Sequence, residues 1–185
     1  MSGDISNYSF GNTPSDDAKK LQWVKIKDGD KTLLICDRVI LVNVTWNDLN
    51  SAGWIFGKEV NIDSAKYKLR SLTGGSNYRG GDAYAGGTPT NNEWDRFVTR
   101  EEVITGLPAP VSSDLDNGLN STDLSSAHNQ LWNWMGVYTW CQETYSSNTS
   151  YRAVRGYNSA RYWDYNLASY SIPYLGFRPV LEVLN

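Results

Sequence analysis

The sequence predicts an α+β domain of short strands, about two short helices and long irregular loops. Three observations predict it. Short β-prone runs recur from residue 21 to the end of the chain, two stretches show helical spacing, and polar or glycine-rich segments separate them. The 185 residues are 40% hydrophobic and 13% aromatic, with eight Trp and twelve Tyr, enough for a real core.

Residues 1–20 are polar, carry Gly, Pro and paired Asp, and read as an N-terminal arm or linker before one domain over 21–185. Leu21–Lys27 alternates, Thr32–Cys36 is apolar and Val39–Val44 is strongly β-prone, so all three read as strands, with a turn at Asp28-Gly-Asp30. Thr45 stands where it can cap a short helix carrying Trp46, Leu49 and Ala52, closed by Gly53. Glu59–Ile62 and Tyr67–Leu72 read as two more strands. Thr73–Thr90 holds six glycines among small polar residues and reads as a long irregular surface loop. No Gly-Lys-Ser/Thr follows it, so a phosphate cradle is not indicated.

Asn92–Val98 fits a helix, with Trp94, Phe97 and Val98 on one side. Thr99-Arg-Glu-Glu102 has the form of a capping box for another short turn ending near Gly106. Pro108–Ser126 is loop-like. Leu131–Trp134, Val137–Gln142, Tyr151–Val154 and Leu175–Leu184 read as strands, whereas Tyr157–Tyr174 follows neither period.

Charge and motif content exclude several functions. The net charge is −3, the pI is near 5.1, and all eight Lys lie between Lys19 and Lys68, so no basic stripe is available for nucleic acid. No apolar run approaches the roughly 20 residues that cross a bilayer, and Met1-Ser-Gly-Asp4 carries no signal-peptide pattern. Cys36 and Cys141 are either a disulfide or two ordinary buried thiols. His128 is the only histidine, which excludes a His-rich metal site. Asp114-Leu-Asp116-Asn-Gly118 invites a calcium reading, but its glycine falls one place early and no closing Glu follows. Glu93 and Asp95 point to different sides of their helix, and no Gly-x-Ser-x-Gly is present. We therefore expect no metal, no cofactor and no catalytic residue.

The last third differs in composition. Residues 138–174 contain eight of the twelve tyrosines, interleaved with Ser, Asn and Asp. Antibody combining sites have this composition, because Tyr offers a large stiff contact with few torsions while Ser and Asn offer adaptable hydrogen bonds. Clustering without helical or strand periodicity favours exposed rings.

Several short motifs share an order. Val42-Asn-Val-Thr-Trp-Asn-Asp48, Tyr67-Lys-Leu-Arg70 followed by Asn92-Glu-Trp-Asp95, then Arg155-Gly156, Ser159-Ala-Arg161 and Gly176-Phe-Arg178 resemble the formylglycine-generating-enzyme-like variant of the C-type lectin-like fold over residues 38–183. The enzymatic branch of that fold carries a reactive cysteine pair near the terminal Gly-Phe-Arg. Here Ala168–Leu175 has no cysteine. The run from Trp132 to Val183 instead resembles the variable proteins of diversity-generating retroelements, including phage receptor-binding tail proteins and some cell-surface proteins.

That resemblance implies a fixed frame and a diversified surface within a variable region of about 138–175. In the family, Asn codons are randomised at their adenines and cannot become Lys, Glu, Gln, Met or Trp. Tyr151–Leu175 holds none of the first four and one Trp. The frame would be Arg152–Gly156, Ser159–Arg161, Trp163, Ala168-Ser169 and Gly176–Pro179. The ligand-binding positions would be Tyr138, Tyr145, Tyr151, Tyr157, Asn158, Tyr162, Asp164, Tyr165, Asn166, Tyr170, Ser171, Ile172 and Tyr174. Arg155, Arg161 and Arg178 are expected to form structural pairs, with contact to an acidic ligand as the other reading. The resemblance thus implies a non-enzymatic receptor-recognition protein on a virion tail, surface fibre or cell surface. Its partner would be a protein or glycan on a target surface. The alternatives are a divergent formylglycine-generating-type oxidase and a glycan-binding module.

Overall fold

A computed structural model describes residues 4–115 and 131–184. His128 and the Asp116–Gly118 part of the acidic loop lie outside the described residues. The fold is α+β and mostly strand. One five-stranded sheet has the order β1 (Trp23–Asp28), β2 (Lys31–Cys36), β12 (Val180–Val183), β5 (Ala65–Arg70), β4 (Lys58–Ile62), every neighbour antiparallel. A second has the order β10 (Trp163–Leu167), β9 (Tyr151–Gly156), β8 (Tyr138–Thr144), β11 (Leu175–Phe177), β3 (Leu41–Val42), in which β11 runs parallel to β8. A hairpin of β6 (Asn77–Arg79) and β7 (Asp82–Thr88) forms the third sheet. No helix among the described residues is long and apolar enough to cross a membrane.

The expected strand over Leu175–Leu184 is two strands in different sheets. They are parted at Arg178-Pro179, where the proline cannot donate to a ladder. This crossing lets the C-terminus stitch the two large sheets together. The expected strand over Val39–Val44 shrinks to Leu41–Val42, because Asn43 turns left-handed (φ 56°) and directs the chain into α1 (Trp46–Ser51). Thr45 caps that helix as expected: its hydroxyl accepts the Asp48 N–H at 3.0 Å, and the Asp48 carboxylate accepts back from Thr45 N–H.

The glycine-rich loop expected at Thr73–Thr90 contains the β6–β7 hairpin. Gly80 and Gly81 form its tip with φ of 60° and 80°, the left-handed pair that suits a two-residue turn. The helix expected at Asn92–Val98 is a single π-helical segment, Trp94–Val98, with Asn92 Oδ1 accepting the Asp95 N–H. The capping box expected at Thr99–Glu102 does not form, although a turn closed by Leu107 N–H on Ile104 O includes Gly106. The Thr99 hydroxyl donates backwards to the Asp95 carbonyl, and Arg100 turns left-handed (φ 59°). Leu131–Trp134 is not a strand, although Trp132 and Trp134 are buried, and Met135 bridges Tyr157. Tyr157–Tyr174, expected to be irregular, contains β10.

Two large apolar clusters fill most of the interior, and a third, smaller one gathers Cys141, Ala153 and Trp163. Of the two large ones, one gathers Trp46, Leu49, Trp54, Leu69, Trp140, Val154 and Phe177. The other gathers Ile26, Leu33, Trp94, Phe97, Trp134 and Val180. Buried indoles need a partner for the ring N–H. Trp94 donates to Ala160 O, Trp140 to Val44 O, and Trp163 to Gly75 O. The N-terminal segment is laid against the first cluster: Ile5, Tyr8 and Phe10 pack on it, and Thr13 bonds Asp63 through both its N–H and its hydroxyl.

Candidate functional site

The frame behind the tyrosine-rich segment is organised by one buried ion pair. Arg155, on β9, and Asp95, in the π-helical segment, are both fully buried and meet at 2.5 Å. The other Asp95 oxygen accepts from Gly87 N–H at 2.8 Å, from the Asn92 side-chain amide at 2.7 Å and from Arg79 at 3.2 Å. Arg155 donates onward to the carbonyls of Gly74, Arg161 and Tyr162 at 2.8, 3.2 and 3.1 Å. A buried charge is tolerated only when paired and fully hydrogen-bonded, which this network provides. Arg178, also fully buried, instead donates to the carbonyls of Cys36, Asp37 and Asn133 and stands over Trp94, and burial pushes its guanidinium down to about 10.

Burial divides the segment residue by residue. None of the thirteen sequence-derived ligand positions is buried, and Tyr170, Ser171 and Tyr174 are exposed. Of the fifteen frame positions, twelve are buried; Arg152 and Arg161 are half-buried and Ser169 is exposed.

The thirteen do not form one patch. Successive residues of a strand point to opposite faces, so β10 sends Asp164 and Asn166 one way and Trp163, Tyr165 and Leu167 the other. The first group follows Asp164. Tyr138 stacks on Tyr157 with ring centroids 4.6 Å apart and planes 9° apart, and Tyr162 and Tyr174 flank them at 6.2 and 5.5 Å. The Tyr138 hydroxyl reaches towards Asp164 at 3.5 Å. Burial, followed by the Asp164 charge, raises the Tyr138 phenol, and burial raises the Asp164 carboxyl. Tyr157 holds a left-handed backbone (φ 92°), which a non-glycine residue keeps only when its surroundings impose it. Here the Tyr157 N–H donates to Trp134 O, and Gly136 N–H donates to Tyr157 O.

Tyr84, from β7, joins this group, packing on Tyr162 at 4.8 Å and accepting from the Asn158 amide at 3.1 Å. Sequence reasoning missed it. The one available signal was an aromatic residue inside a run of glycines.

The second group lies across the sheet. Tyr145 stacks on Tyr165 at 4.2 Å, Tyr151 meets Tyr165 edge-on, and Tyr78 and Tyr145 contact the buried ring of Trp163. The neighbouring Tyr145 raises the Tyr78 phenol. Ile172 is set apart from both groups: it packs partly against the core, and its carbonyl accepts from Asn43 N–H.

The two thiols are unfit as nucleophiles. Cys36 and Cys141 are free and buried; burial pushes the first up to about 11 and the second well above its usual value. Neither is expected to react with Ellman's reagent in the native protein, and both should react after denaturation. Among the described residues no cluster of three or more His, Cys, Asp or Glu could hold a metal. A cavity of about 440 Å³ lies between the N-terminal segment and the first sheet, lined by Phe10, Trp23, Leu34, Trp54 and Tyr67, and none of the thirteen positions borders it. No family model, curated protein or solved structure matches the chain.

Proposed function

We propose that this protein is a non-enzymatic recognition module, displaying a diversified Tyr/Ser/Asn surface on a fixed C-type lectin-like frame of the formylglycine-generating-enzyme-like kind. In this reading it is a variable protein of a diversity-generating retroelement, carried on a virion tail, fibre or cell surface. One observation carries the proposal: between residues 151 and 179 every position assigned to variation is exposed or half-buried, whereas twelve of the fifteen frame positions are buried. Open tyrosines on a rigid frame suit recognition, since little side-chain entropy remains to be lost on binding. The Asp164-side group is the stronger candidate face, because its rings come from β7, β8 and the segment after β9 and so do not rely on a single loop. The two buried thiols weigh against the oxidase alternative.

The test is a library in which the thirteen positions are randomised among Tyr, Ser, Asn and Asp. A substitution at exposed Tyr170, Ser171 or Tyr174 should cost about 0.5 kcal/mol or less and one at the ten half-buried positions more, and a sizeable fraction of members is still expected to unfold cooperatively with heat. Selection against two unrelated immobilised proteins, lysozyme and streptavidin, is expected to yield binders. A library that is almost wholly unfolded, or one that folds but yields none, would sink the proposal.

A further inference from the structure

We propose that the Asp164-side tyrosine group takes a cationic side chain, a guanidinium or ammonium of a protein partner. This rests on the display reading and adds the partner's chemistry. Asp164 lies in β10 opposite Val154, its Oδ1 accepting from Tyr165 N–H at 2.8 Å and its Oδ2 at the outer limit of a bond from Tyr138. Several other half-buried or buried carboxylates are matched by arginine: Asp95 by Arg155, Glu93 by Arg70, Asp28 by Arg96; Glu143, half-buried and without an ion pair among the described residues, is met by the Gly74 N–H instead. Among the described residues Asp164 has no ion pair.

The two arginines of the neighbouring strand are committed elsewhere. Arg152, on the neighbouring strand, lies over the Trp46 ring at 4.3 Å and donates to the carbonyls of Thr149 and Tyr151. Arg155 points to the other face, at Asp95. Burial raises the carboxyl's affinity for its proton, and no lysine or arginine counters it; only the hydrogen bonds from Tyr165 N–H and Tyr138 do. The group surrounding this carboxylate is phenolic: Tyr138, Tyr157, Tyr162, Tyr84 and Tyr174 touch in series. The faces of such rings are electron-rich and attract cations. An anionic contact would be repelled, a neutral apolar one would bury the carboxylate further without a partner, and a neutral donor would supply a hydrogen bond without the charge. A guanidinium satisfies both carboxylate and rings.

The experiment titrates the full chain, with ¹³C-labelled tyrosine rings, with Nα-acetyl-arginine amide or its uncharged isostere Nα-acetyl-citrulline amide. The arginine probe is expected to shift the rings of Tyr138, Tyr157 and Tyr162 and to bind about tenfold more tightly than the citrulline probe. Asp164→Asn should remove that preference, and Tyr162→Ser should weaken the arginine probe severalfold should Asp164→Asn fail to fold. Equal binding of both probes, shifts confined to other residues, no shift, or an unchanged preference in the folded variants would overturn the inference. If the randomised library folds and yields binders while the arginine probe shows no preference, the display reading stands and this inference falls. If the library unfolds, the display reading falls first.

Discussion

Replacing Asp95 by Ala is expected to lower the unfolding free energy by about 3–5 kcal/mol, read from urea denaturation. The mechanism is the stranding of Arg155. Its guanidinium has no solvent exposure and would keep only carbonyls and the Asn92 side-chain oxygen as acceptors. Removing Asp95 also strands Gly87 N–H and leaves the Asn92 amide only the Pro89 carbonyl, so hairpin, π-helical segment and β9 lose their common acceptor together. Exchanging both partners for Met and Leu should cost much less than the sum of the single changes, since no unpaired charge is left buried. A loss under about 1 kcal/mol for Asp95→Ala, the size typical of an exposed pair, would show that the network is solvated.

Gly176→Ala is the second large effect, and its cause is space. A Cβ at Gly176 would lie 1.9 Å from the Leu41 carbonyl oxygen and 2.8 Å from its carbon, so the backbone of β3 itself would have to move. Overpacking of this kind costs about 3 kcal/mol. The displacement would be passed to Asn43 and the Thr45 cap just beyond β3. Gly81→Ala is the comparison. Nothing lies within 4 Å of its Cβ, and only its φ of 80° resists substitution, so about 1–2 kcal/mol is expected. If thermal denaturation finds the two variants equally destabilised, close strand approach is not what selects glycine at 176.

Local features were legible in the sequence where local physics decides them. Thr45 ahead of Trp46, Leu49 and Ala52 sufficed to mark a helix start, and alternation marked β1. Features set by distant partners were not. Nothing near Arg155 announces Asp95, 60 residues away, and the β6–β7 hairpin is hidden because β6 is three residues long and β7 is interrupted by Gly86 and Gly87, with little apolar alternation in either. The break in the last strand was signalled by Pro179 and outweighed by the apolar run around it. In the candidate site, tyrosine content pointed to the segment but not to its two-sidedness. That follows only once Trp163–Leu167 is known to be a strand, because only then do Asp164 and Tyr165 face apart.

The ties that hold the tyrosine-rich segment run largely through main chain. Arg155 grips the carbonyls of Arg161 and Tyr162, Asn43 and Tyr138 donate to those of Ile172 and Tyr174, and Tyr157 is held at both its N–H and its carbonyl. Every amino acid brings the same carbonyl. A clamp of this kind does not itself register which side chain it holds, so one mounting can serve many inscriptions wherever the new letter keeps its N–H and fits the backbone beneath it.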